Sequence, residues 1–196
     1  MTAAAAERAA NGLSDDGRHL YVSESHYETL IERLAARIHR SGWQFDTILC
    51  LARGGLRPGD ILSRIFDKPL AIMSTSSYRA EGGTLRGNLD IARYISTPRG
   101  EIAGRVLLVD DLADTGHTLR AVLELLRNSY PSISELRSAV LWVKAMSIFT
   151  PDSTSNSCRR IHGSISRSNR MTALVRRRSR GAGATATDQS FRSRSR

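Results

Sequence analysis

Between Asp110 and Thr118 the chain reads DDLADTGHT, directly after the apolar run Val106–Val109. Adjacent carboxylates at the end of a buried strand are costly unless they meet a cation or hydrogen-bond donors. Mg²⁺, a sugar diol, or both would satisfy Asp110 and Asp111. Thr115, Gly116, His117 and Thr118 offer hydroxyls and backbone N–H groups. The helical period that follows (Leu119, Val122, Leu123, Leu126) places a helix N-terminus behind them. Backbone donors at a helix start receive anions. A ligand carrying a phosphate close to a ribose diol fits both halves, better than a merely solvated acidic turn does.

Two further places carry polar chemistry at the end of an apolar run. Thr47–Ala52 breaks at Arg53-Gly54-Gly55 and is followed by a helical pattern over Leu56–Phe66, a second candidate anion turn. Ser138–Lys144 is a buried-strand pattern that ends in a lone lysine. Ligands of parallel α/β sheets bind beyond the carboxyl ends of the strands, so three such ends meeting at one place outweigh any one motif. Neither GxxxxGK[ST] nor GxGxxG is present.

The elements that must hold these residues alternate. A helical period with Leu30, Ile31, Leu34, Ala35 and Ile38 on one face runs from Ser23 to Gly42, with Ser25 and Glu28 placed for a capping box. In Leu56–Phe66 the inward residues read as Leu56, Ile61, Leu62, Ile65 and Phe66. Leu70–Ser74 reads as a strand and Asn88–Ile95 as its return. Ser76–Asn88 is a polar, Gly-rich segment, either a hairpin tip or a mobile lid. Val106–Val109 is a strand and Leu119–Arg127 a helix. Alternation of this kind predicts an α/β fold with a mainly parallel sheet. His26 and His39 have no ligand partners at metal spacing, and Cys50 and Trp142 read as core.

The net charge of +10 suggests a nucleic-acid partner until its distribution is read. Residues 151–196 hold 11 Arg against Asp152 and Asp188, whereas residues 1–150 hold 18 basic and 17 acidic residues. The basic character belongs to the tail. No apolar run approaches the roughly 20 residues that cross a bilayer. The Ala-rich start lacks the pattern of a signal peptide, and two cysteines far apart fit a reducing cytoplasm.

VLLVDDLADTGHT resembles the phosphoribosyl pyrophosphate (PRPP) signature of type I phosphoribosyltransferases. LARGG resembles that family's pyrophosphate loop, and Ser76-Ser77-Tyr78 the opening of its flexible catalytic loop. The resemblance is nearest to the bacterial and archaeal hypoxanthine/xanthine-guanine branch and spans about Tyr21 to Asp152. It implies a PRTase-like fold, with a mainly parallel sheet flanked by helices. It implies Asp110 and Asp111 on the ribose hydroxyls, directly or through Mg²⁺, with Ala113, Asp114, Thr115, Gly116, His117 and Thr118 around the 5′-phosphate. Asp114 would be proton acceptor or donor at a purine ring nitrogen. Arg53, Gly54 and Gly55 would hold pyrophosphate, and Ser77 and Tyr78 would close over a cationic sugar. Lys144 would read a purine 6-oxo group. The implied cofactor is Mg²⁺. The implied partners are PRPP, a purine base and further copies of the chain, with nucleic acid only through the basic tail. His117 departs from the family's usual residue, and its backbone N–H still serves.

The expected organisation is a loose arm over residues 1–20, a phosphoribosyltransferase domain over 21–152, and a Ser/Arg-rich disordered tail over 153–196. A frameshift is the favoured origin of that tail. Read from the third base of the Asp152 codon, the codons for 152–164 permit Phe-Tyr-Val-Glu-Phe-Leu-Pro-Thr-Asp-Pro-Trp and then an aliphatic residue. That string resembles the family's usual ending, where an aromatic wall stacks the base. The expected activity is 6-oxopurine phosphoribosyl transfer, impaired by loss of that wall. The competing expectation is a non-catalytic PRPP- or nucleotide-binding regulator with an RNA-binding tail.

Overall fold

The computed structural model describes residues 20–77, 89–98, 100–158 and 165–167. In chain order the elements are β1 (Leu20–Val22), α1 (Glu24–Arg40), β2 (Thr47–Ala52), α2 (Leu56–Phe66), β3 (Leu70–Ser77), β4 (Leu89–Ser96), β5 (Gly104–Ala113), α3 (His117–Ser129), β6 (Ile133–Lys144), β7 (Ser153–Cys158) and β8 (Ile165–Arg167). A six-stranded sheet runs β4-β3-β2-β5-β6-β7, and β1 with β8 forms a separate two-stranded one. In the large sheet only β4 is antiparallel to its neighbour. The mainly parallel sheet with flanking helices is the expected architecture.

Alternation along the strands makes two cores. Ile48, Leu107, Val109 and Leu141 face α1 and α2, with Leu30, Ile31, Leu34, Ile38 and Leu62 packed on them. Leu49, Leu51, Val106, Leu108 and Val140 face α3, meeting Leu119, Val122, Leu123 and Leu126. The central strands are therefore apolar on both faces, as parallel strands between helices must be. Gly59 lets α2 approach β2, since a Cβ there would lie 2.7 Å from the Cβ of Cys50. Cys50 is buried and Trp142 is core, as read from the sequence.

Several local expectations need correction. The N-cap of α1 is Ser23, whose hydroxyl accepts from His26 N at 3.2 Å, and not Ser25 with Glu28. Ile65 is 51% exposed, because it sits at the margin of the apolar stripe, beyond what α2 lays on the sheet. β5 does not stop at Val109. It continues to Ala113, because Leu112 and Ala113 still pair with Trp142 and Val143 of β6.

The boundary expected at residue 152 coincides with the start of a strand. β7 adds in parallel to β6, and 153–158 therefore belong to the sheet although their sequence, STSNSC, has no apolar period. Neighbouring groups supply what apolar patterning does not. The Asp152 carboxylate accepts from the backbone N–H and hydroxyl of Ser138 at 2.8 and 2.9 Å. The Ser155 hydroxyl donates to the Leu141 carbonyl at 2.8 Å, and the Arg37 guanidinium donates to the Thr154 carbonyl. Residues 1–19 of the arm expected over 1–20, residues 78–88 of the polar segment, residue 99, and residues 159–164 and 168–196 of the expected tail lie outside the described residues.

Candidate functional site

The chain moves outward from β2 to β3 and β4, then returns to place β5 on the other side of β2. That reversal opens a crevice at the carboxyl ends of β2 and β5, where open α/β sheets bind ligands. A cavity of about 240 Å³ lies there, lined by residues including Gly54, Thr75, Asp110, Asp111, Ala113 and Asp114, and by Thr115, Gly116 and Thr118 of the following turn.

Each wall is set by a local rule. After β5 the chain turns at Gly116, whose φ of +81° few side chains tolerate. α3 then starts at His117, and its first intrahelical bond runs from Arg120 N to Gly116 O. The helix geometry leaves the N–H groups of its first turn without intrahelical acceptors, the ordinary origin of an anion-binding helix start. On the neighbouring strand, β2 ends in a turn whose Gly55 N–H returns to the Leu51 carbonyl at 2.8 Å. Gly54 stands so close to β5 that a Cβ would lie 2.3 Å from Asp111 Oδ1. Any side chain there would displace the carboxylate from the cavity wall.

The third strand end joins through charge. Lys144, only 5% exposed at the end of β6, places Nζ 2.8 Å from Asp114 Oδ1. Asp114 is itself half-exposed. Gly54 of the β2 turn and the Asp110–Thr118 turn therefore meet at the cavity, and Lys144 reaches it only through Asp114.

The electrostatics are those of a site short of positive charge. Burial, and then the neighbouring Asp111 carboxylate, push the Asp110 carboxyl up to about 8. Asp111 N donates to Asp110 Oδ1 at 2.8 Å. The opposite charge of a cation would offset both causes. Mg²⁺ commonly takes one or two protein carboxylates and completes its shell with water and substrate phosphate. Among the described residues there is no group of three or more His, Cys, Asp or Glu placed to hold a metal. The Asp110–Asp111 pair has the carboxylate chemistry that such a cation takes.

Not every residue singled out in the sequence reaches the cavity wall. Arg53 is exposed at its turn, and His117 is exposed at the start of α3. Ser77 is the last residue of β3, and Tyr78 lies outside the described residues. Thr75 lines the cavity and was not anticipated. It stands near the end of a strand beside β2, where the pairing of β3 with β4 shifts register between Met73 and Thr75, which no local sequence pattern shows. Such irregularities re-aim side chains.

A mainly parallel sheet with an acid-rich strand–turn–helix at its switch point is the arrangement of type I phosphoribosyltransferases. The chain belongs to this family: the family model described as phosphoribosyl transferase domain matches residues 23–174. It is 30% identical over 127 residues to a xanthine-guanine phosphoribosyltransferase of Roseobacter denitrificans, covering 60% of this chain and 67% of that one. It is 34% identical over 113 residues to the enzyme of the same name from a Ruegeria species, covering 48% and 61%. Among solved structures, a purine phosphoribosyltransferase from Pyrococcus horikoshii superposes with a TM-score of 0.61 at 28% identity, over 76% of this chain and 92% of that one. The xanthine-guanine-hypoxanthine phosphoribosyltransferase of Helicobacter pylori shares the fold with a TM-score of 0.67 at 21% identity, covering 81% and 99%.

Proposed function

We propose that this protein transfers the 5-phosphoribosyl group of PRPP to a 6-oxopurine, releasing pyrophosphate. The carrying observation is that the Asp110–Thr118 turn and Lys144 meet through the Asp114–Lys144 contact. One residue of the phosphate turn thus borders the place where a base would lie. The xanthine-guanine and hypoxanthine/guanine names of its relatives support the same class of acceptor.

In this reading the backbone donors of Ala113–Thr118, including the His117 N–H, hold the 5′-phosphate. Asp110 and Asp111 take the ribose hydroxyls with Mg²⁺, which supplies charge neutralisation when bound. Arg53, Gly54 and Gly55 take the pyrophosphate. Arg suits it because its fork of donors matches phosphate oxygens. Displacement breaks the anomeric C–O bond to pyrophosphate and forms a C–N bond to the purine. Asp114 sits at the turn's open end to hold or accept the ring proton. Lys144 presents its ammonium to the 6-oxo group, and Ser77 and Tyr78 belong to the segment that closes over the sugar. The compartment is the cytoplasm, in keeping with cysteine usage, and the working form is a homo-oligomer.

The acceptor half is weaker. Residues 153–196 contain a single aromatic, Phe191, so the stretch that would supply a stacking wall carries almost none. A frameshift near Asp152 accounts for this composition. Resequencing the locus tests it, and an intact frame would sink it. The expected kinetics are base-dependent pyrophosphate release with a high KM for the base. Asp114→Asn should lower kcat by about a hundredfold. Pyrophosphate release that ignores added hypoxanthine, guanine and xanthine would contradict the reading.

One observation favours a second reading, that of a regulator which binds PRPP or a nucleotide without catalysis. The 11 Arg of residues 151–196 suit contacts to RNA phosphates. Salt-sensitive RNA binding that vanishes on deleting residues 153–196, without base-dependent pyrophosphate release, would decide for it.

A further inference from the structure

The turn between β5 and α3 leans on a segment to which neither the sequence motifs nor the proposed chemistry assign a role. Residues 145–152 leave β6 after Lys144 and return to the sheet at β7. Both ends are fastened to β6. At the near end Ser147 N donates to the Lys144 carbonyl at 3.0 Å. At the far end the Asp152 carboxylate takes two hydrogen bonds from Ser138, and the Ser138 hydroxyl accepts from Asp152 N at 3.2 Å.

Between these fastenings the segment crosses behind the cavity turn. Ile148 N donates to the Thr115 carbonyl at 2.9 Å. Gly116 lies against it so closely that a Cβ would stand 2.6 Å from the Phe149 Cβ and 2.7 Å from the Ser147 hydroxyl. Phe149 packs on the α3-side core. The Ser147 hydroxyl ties the segment's own backbone, donating to the Phe149 carbonyl at 2.9 Å and accepting from Phe149 N at 3.3 Å.

We infer that residues 145–152 are a strap that positions the Thr115–Gly116 turn for an incoming sugar phosphate, with Ser147 as its positioning residue. This deepens the proposed function and rests on it. The strap meets the turn at the Thr115 carbonyl and where a Gly116 Cβ would project, and none of its residues lines the cavity. Orienting the Thr115 carbonyl into the strap turns a backbone acceptor away from the anion. An acceptor facing the phosphate would repel it, whereas the donors that remain attract it. Holding the turn in advance also spares the ordering cost of assembling it on binding. Among the described residues the strap's backbone hydrogen bonds reach the β5–α3 turn and not the β2–α2 turn, so it should act on one end of the donor only.

That asymmetry gives the test. Ribose 5-phosphate and inorganic pyrophosphate, each with Mg²⁺, are titrated calorimetrically into wild-type protein, Ser147→Ala and Ser147→Thr. The strap predicts that Ser147→Ala weakens ribose 5-phosphate by about fivefold, the worth of a typical hydrogen bond, and leaves pyrophosphate within about twofold. Ser147→Thr, which keeps the hydroxyl, should restore the wild-type value. Unchanged ribose 5-phosphate affinity in Ser147→Ala would overturn the inference. So would an equal loss for both ligands, which marks general loosening. Wild-type protein that binds neither ligand would overturn the proposed function itself, and the strap with it.

Discussion

The turns after β2 and β5 share a sequence pattern, apolar strand then glycine then helix, and lie side by side. They use glycine differently. Gly54 makes room on the cavity side, for the carboxylate of Asp111. Gly116 makes room on the opposite side, for the strap at Ser147 and Phe149, and does so at a φ of +81°. The β2 turn brings a guanidinium, Arg53. The β5 turn carries no Lys or Arg of its own and offers backbone donors. One turn is thus a charged arm beside an acidic neighbour, and the other a braced backbone cradle. In the proposed function these two turns of the same pattern hold two ends of one anion by different physics.

The largest effect that would sharpen this contrast comes from Asp110, which belongs to the β5 side alone. Its pKa is raised from 3.8 to about 8, so the folded protein holds a proton that the unfolded chain releases above 3.8. The associated stability is fully present below that value and is lost as pH rises through about 8. In EDTA the Tm should fall over this range, and Asp110→Asn should flatten the profile. A flat wild-type profile would mean that the two carboxylates are not held close and dry. The same variant should lose Mg²⁺–PRPP binding.

Next in size is Gly116→Ala. It combines a disfavoured φ with contact against the backbone-bound Cβ of Phe149, and should cost about 2 kcal/mol in denaturant unfolding. Ribose 5-phosphate affinity should fall more than pyrophosphate affinity. Gly54→Ala should cost less stability, about 1 kcal/mol, because a carboxylate can swing aside and a backbone cannot. Its mark should be on Mg²⁺-dependent ligand binding. Equal behaviour of the two glycine variants would break the comparison.

These differences also show what could be read from the sequence. Strand, turn and helix around Asp110 and Arg53 were legible because apolar runs, glycines and helical periods are local signals. Their convergence followed from strand ends alone. β5 was read four residues short because its continuation depends on β6, which pairs with Leu112 and Ala113 across the sheet. β7 was missed for the same reason: five small polar residues and a cysteine carry no period, and Leu141 and Arg37 supply partners from elsewhere while Ser138 holds the adjoining Asp152. Residues 145–152 carry no motif, and the need for Gly116 to be small is visible only once Phe149 is placed behind it. Thr75 was hidden in a strand whose pairing register shifts beside it.

The central claim is that the Asp110–Thr118 turn receives the sugar-phosphate donor. Calorimetric titration of Mg²⁺–PRPP into the purified protein, with Asp110→Asn in parallel, tests it most directly. Saturable one-site binding by the wild type and its loss in the variant are expected. Absence of binding in the wild type, or equal binding by both proteins, would contradict it.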